Sequence, residues 1–195
     1  MSFHVKSKWV IGLTGSMLSG KSTALAYFKA CGAGTVSCDE IVHALYARPA
    51  VQQKIKAALG TADKTQLAQL VFKNKLARKR LEQLLHPLVE KEIRACLRKP
   101  GPRVWVVEIP LLFEAGWHTK TDLNIAVLAA QQTLPARLKG RNLTRAEYER
   151  RTRYQLPPEQ KAARADVVFY HAGKAQLKQR VMRFCQAMNL LHNVK

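Results

Sequence analysis

Gly15-Ser16-Met17-Leu18-Ser19-Gly20-Lys21-Ser22 is the stretch that decides the reading of this chain. It satisfies G-x-x-x-x-G-K-[ST], a pattern whose glycines let the backbone turn successive N–H groups toward a phosphate. Trp9-Val10-Ile11-Gly12-Leu13-Thr14 precedes it and reads as a strand. Thr23-Ala24-Leu25-Ala26-Tyr27-Phe28-Lys29-Ala30 follows and reads as a helix. The loop amides, with the unpaired donors of the first helical turn, suit a polyphosphate anion. Lys21 places a point charge between the β- and γ-phosphates, and the Ser22 hydroxyl suits Mg2+. Gly15, Ser16, Met17, Leu18, Ser19, Gly20, Lys21, Ser22 and Thr23 are therefore expected to hold ATP or GTP. The loop alone leaves kinase, ATPase, GTPase and switch protein open.

The 195 residues, 47% of them hydrophobic, suit one soluble domain with a substantial core. No apolar run approaches the roughly 18 residues a membrane span needs. Lys6 and Lys8 precede a short apolar stretch, but that stretch runs into the phosphate loop, so a cleavable signal is rejected. Cys31, Cys38, Cys96 and Cys185 form no C-x-x-C pair and are expected as reduced, mostly buried thiols of a cytoplasmic protein. A monomer or weak homo-oligomer is expected. The net charge of +20 bears on partners and not on fold. Two anionic small-molecule substrates would use part of it. Nucleic acid is a further partner that the charge allows, though it is not the expected one.

Short apolar runs alternate with helical patterns, which indicates an α/β fold with a parallel sheet. Strands are predicted near 9–14, 35–38, 104–109, 123–129 and 167–170. Residues 50–100 carry Leu67, Leu70, Val71, Leu81, Leu84, Leu85, Leu88 and Ile93 at helical spacing. Lys99-Pro100-Gly101-Pro102 ends that stretch, because neither proline continues a helix. The whole reads as a single domain. Its core comprises about 9–48, 103–138 and 164–195, with a helical insertion over about 50–102 and an arginine-rich lid over about 139–163. A final helix over about 174–191 carries the core stripe Leu177, Val181, Phe184, Met188 and Leu191.

In this order the motifs resemble the dephospho-CoA kinase family. The resemblance rests on Ile11-Gly12-Leu13-Thr14-Gly15 with Ser19-Gly20-Lys21-Ser22-Thr23, and on Cys38-Asp39-Glu40-Ile41-Val42. Leu85-His86-Pro87-Leu88-Val89 and Ile109-Pro110-Leu111-Leu112-Phe113-Glu114 extend it, the second being the most specific string. Arg137-Leu138 with Arg141, Tyr154-Gln155 and Ala165-Asp166-Val167-Val168 complete it. The resemblance implies a P-loop NTPase-type five-stranded parallel sheet flanked by helices. It implies transfer of the γ-phosphoryl of ATP, with Mg2+, to the ribose 3′-hydroxyl of dephospho-CoA. A nucleoside or nucleotide kinase of related fold is the second enzyme reading. A basic nucleic-acid-binding protein with a degenerate loop is the third.

On the family reading, Asp39 follows the second strand and orients and deprotonates the acceptor hydroxyl. Arg137 and Arg141, four apart on a predicted helix, close over the phosphates. Glu108 ends the third strand, where contact with the metal or its waters and strand-end capping both fit. His43, Lys64, His86 and Glu114 are assigned to the acceptor side. For His86, before a proline and so expected at a helix boundary, packing is the other reading; for Glu114 it is a structural role. The chain departs from the family pattern at Ser16 and Leu18, where glycine is usual. His43 and Lys64 replace arginines, and His171, near the nucleotide base, replaces an asparagine.

Overall fold

The computed structural model describes residue 3 and residues 8–190. Five strands form one parallel sheet: β1 (Trp9–Thr14), β2 (Gly34–Ser37), β3 (Val104–Glu108), β4 (Leu123–Ala129) and β5 (Val167–His171), in the order β2-β3-β1-β4-β5. All four pairings are parallel, with Ile11 opposite both Val106 and Leu123. The near-continuous apolar runs of β1 and β3 follow from burial on both faces. The predicted strands are present. β2 begins at Gly34, where a Cβ would lie 2.4 Å from the Trp105 ring, and Cys38 belongs to the following helix.

One sheet face carries α1 (Lys21–Ala30) and α9 (Lys174–Ala187). Ile11, Leu13, Phe28, Val106, Ile125, Phe169, Leu177 and Val181 form their shared core. Phe28, Phe169 and Phe184 stack and tilt within it at centroid separations of 5.8–6.2 Å. The opposite face of β1 is so close to Leu112 that a Cβ on Gly12 would approach it to 3.0 Å. α9 ends at Ala187 with Met188 as its cap, and Leu191 of the expected stripe lies outside the described residues. Beyond β4 come α6 (Leu134–Lys139), α7 (Arg145–Thr152) and α8 (Pro158–Arg164). α7 starts on a capping box between Thr144 and Glu147. Its arginines pair along the helix surface, Arg145 with Glu149 at 2.9 Å and Arg151 with Glu147 at 3.7 Å.

Residues 38–99 form a second compact unit, purely helical. It contains α2 (Cys38–Tyr46), α3 (Pro49–Leu59), α4 (Lys64–Lys73) and α5 (Lys75–Arg98). Asp63 caps α4 through the amides of Thr65 and Gln66, and Asn74 caps α5 through those of Leu76 and Ala77. Buried Leu85, Val89, Ile93 and Leu97 recur every fourth residue along α5. α5 runs straight through Pro87, so His86 lies in a helix interior and not at the expected boundary. A proline inside a helix costs about 3 kcal/mol. The buried stripe on both sides of it, at roughly 1.5–3 kcal/mol per buried aliphatic side chain, outweighs that cost.

No helix among the described residues is long and apolar enough to cross a membrane. All four cysteines are free, with Cys31, Cys38 and Cys185 buried, and burial beside Cys31 pushes the Cys185 thiol up.

Candidate functional site

The phosphate loop leaves the carboxyl end of β1, the strand about which the sheet order reverses. Ligands of open α/β sheets sit at such reversals. Gly15 is held at φ 153°, and a Cβ there would lie 2.4 Å from the Val127 carbonyl oxygen and 2.5 Å from Ser19 Oγ. Only glycine fits. Gly20, at φ 94°, precedes α1 and offers that helix no side-chain cap, and a helix N-terminus of this kind suits an anion. Leu18 also has a positive φ, 63°. Its carbonyl accepts a hydrogen bond from Arg137 Nη1 at 2.9 Å.

Lys21 Nζ donates to the Ser16 carbonyl at 3.0 Å, which folds the ammonium over the loop. Ser22 Oγ donates to Glu108 Oε1 at 3.2 Å, and Glu108 is buried at the end of β3. His171, at the end of β5, lies 2.8 Å from the Ser19 carbonyl through Nε2. A carbonyl only accepts, so Nε2 carries the proton. His171 Nδ1 and Ser19 Oγ are both buried without a hydrogen-bond partner.

Two cavities flank the loop. The larger, about 760 Å³, is lined by Lys21, Ser22, Thr23, Arg137, Arg141 and His171 among others. The smaller, about 430 Å³, lies along Ser16, Met17 and Ser19, with Arg137, Tyr148 and Gln155 on its other walls. Arg137 thus borders both. Burial holds its guanidinium below the ordinary arginine value, against the opposing influence of Tyr148. Burial raises the Tyr148 phenol, with Arg137 and Arg145 pulling it back, so it stays a neutral donor. The expected shared helix face of Arg137 and Arg141 needs correction. α6 ends at Lys139, Gly140 caps it, and Arg141 lies in the turn beyond. The two still line one cavity.

In the helical unit, Asp39 and His43 of α2 and Lys64 of α4 line a third cavity of about 400 Å³, walled by Tyr46, Leu67 and Phe72. Burial raises the Tyr46 phenol. Neither His86 nor Glu114 lines any of these three cavities. His86 is half-buried within α5. Glu114 Oε1 instead accepts from Lys161 Nζ at 3.0 Å and from the Leu156 amide at 2.8 Å. Lys161 is fully buried, and burial lowers its ammonium below the usual lysine value against the opposing Glu114 carboxylate. The sequence reading gave Lys161, Tyr148 and Gln155 no role. For Gln155 the Tyr154-Gln155 string was a signal. For Lys161 none was visible.

Among the described residues no three His, Cys, Asp or Glu side chains cluster as a metal site. The fit to Mg2+ rests on Ser22 and Glu108, two hard oxygen donors 3.2 Å apart beside the phosphate cradle. Mg2+ keeps several waters and draws further ligands from substrate phosphates, so two protein oxygens suffice.

The profile of the dephospho-CoA kinase family matches residues 9–176. The chain belongs to the dephospho-CoA kinase family. A dephospho-CoA kinase of Bartonella quintana is 32% identical over 198 residues, covering 94% of this chain and 99% of that protein. One from Burkholderia lata is 37% identical over 172 residues, covering 82% and 85%. The crystal structure of TT1252 from Thermus thermophilus superposes with a TM-score of 0.82 at 31% identity, over 93% of this chain and 97% of that one. Dephospho-CoA kinases are transferases that carry out the final step of CoA biosynthesis.

Proposed function

We propose that the chain transfers the γ-phosphoryl of ATP, with Mg2+, to the ribose 3′-hydroxyl of dephospho-CoA. The loop amides and Lys21 hold the triphosphate, and Thr23 and His171 belong to the nucleotide cavity. Ser22 and Glu108 hold the metal directly or through its waters. Held there, Mg2+ would supply neutralisation of charge on the phosphate oxygens. Arg137 and Arg141 lie where they stabilise charge developing on the transferred group.

Asp39, His43 and Lys64 take the acceptor. Asp39 accepts the hydroxyl proton as the new oxygen–phosphorus bond forms and the bond to the β,γ-bridging oxygen breaks, with ADP leaving. Lys64 and His43 complement the acceptor's diphosphate. Glu114 is a structural residue in this reading, and His86 a packing one. The lid is the segment of about 139–163, which carries α7 and most of α8.

The single observation that carries the reading is the meeting of Asp39, His43 and Lys64 on one cavity, from two helices, in a chain of this family that also carries the phosphate-loop pattern. An ADP-release assay tests it, with dephospho-CoA, adenosine and simple nucleotides offered in competition. Dephospho-CoA is expected to dominate. Equal release with adenosine would return the chain to the nucleoside-kinase reading, and release with none of them would end the kinase reading.

A further inference from the structure

Lys161 is the buried cation that the reaction as described leaves unused. Its relative exposure is 0%, in a helix of seven residues whose other members are exposed apart from the half-buried Ala162. Taking an ammonium out of water costs several kcal/mol, and a buried pair seldom stabilises more than apolar packing of the same volume would. Stability is thus a poor reason for a lysine here, and its contacts suggest a better one.

Lys161 Nζ donates to the Pro110 carbonyl at 2.7 Å and to Glu114 Oε1 at 3.0 Å. The same Pro110 carbonyl accepts from the Thr14 hydroxyl at 3.2 Å. Thr14 is fully buried, ends β1 and is followed directly by Gly15. The same Glu114 oxygen accepts from the Leu156 amide at 2.8 Å. Leu156, Pro157 and Pro158 wall the cavity along Ser16, Met17 and Ser19. One ammonium therefore joins the strand end that launches the phosphate loop to the chain that closes the cavity beside it. Pro110 and Glu114, the two ends of the P-L-L-F-E string, are its acceptors.

The geometry points to Lys161 as a positioning residue that fixes the phosphate loop and the 156–161 segment in one frame. It touches no substrate and acts through Pro110 and Glu114. The lid then pivots before Leu156, and the stretch from 156 onward belongs to its fixed support. This inference rests on the kinase reading above.

The test uses Lys161→Met and the double variant Lys161→Met/Glu114→Gln. The single variant leaves a buried carboxylate without its cation and is expected to lose stability. The double variant removes that charge and is expected to recover much of the thermal midpoint. Both are expected to lose kcat by about 10–100-fold, the scale of a small misplacement of reacting groups. ATP affinity, measured by calorimetry, is expected to stay close to the parent's, because the loop amides and Lys21 are intact. Amide exchange is expected to speed up at 14–20 and at 156–161 together. A double variant with the parent's kcat overturns the inference, as does faster exchange at 156–161 alone, which marks a local packing role. An inactive parent chain instead overturns the kinase reading, so the two failures are distinct.

Discussion

The phosphate-loop pattern works through main-chain atoms of consecutive residues, on a backbone that only glycine can follow at position 15. In the helical unit one cavity is lined instead by the side chains of Asp39, His43 and Lys64, brought together from two helices. The first design tolerates side-chain change, since every residue type but proline carries the same backbone donor. The second changes its chemistry with every substitution. A histidine or a lysine differs from an arginine in both charge distribution and hydrogen-bond geometry. Lys21 is the exception within the loop, a side chain among backbone donors.

The largest expected effect tests that exception. Lys21→Ala should lower turnover by about 10²–10³-fold, the cost of removing one preorganised electrostatic group, and should weaken ATP binding as well. Near-normal turnover in steady-state assays would show that the reaction centre is elsewhere. Next comes Asp39→Asn, expected to reduce turnover by about 10²-fold, the lower range for a general base, while ATP affinity holds. Equal loss of ATP affinity would make Asp39 a ligand of nucleotide or metal, and the contrast between the two regions would break down.

What the sequence shows follows the same division. β1, β3 and β4 are readable because strands covered on both faces need unbroken apolar runs, and the loop is readable because its pattern is contiguous. The reading failed where tertiary packing overrules a local rule. Pro87 should end a helix, but the buried stripe of α5 carries the helix through it. Arg141 keeps helical spacing from Arg137 but lies beyond the end of a short helix capped at Gly140. Lys161 sits in Glu159-Gln160-Lys161-Ala162, which reads as a solvated face. Its burial is decided by Glu114 and Pro110, which no local periodicity connects to it.

The smallest expected effect concerns Leu18. An L-residue in the left-handed region costs roughly 1–2 kcal/mol, and Leu18 has a φ of 63° with its carbonyl held by Arg137. Such strain persists only where neighbours over-determine the conformation. Leu18→Gly removes the steric cost. It also frees the unfolded chain by about 0.5–1 kcal/mol and gives up the contacts of a half-buried side chain. These terms nearly cancel, so stability should stay within about 1 kcal/mol of the parent, a shift of roughly 2–4 °C in thermal midpoint at this chain length. ATP affinity should not change, because the carbonyl and the loop amides remain. Leu18→Val should be worse than either, since a β-branched side chain tolerates positive φ poorly. Should Leu18→Gly instead unfold the chain or abolish nucleotide binding, the Leu18 side chain would be organising the loop. The phosphate loop would then depend on side chains as the helical cavity does.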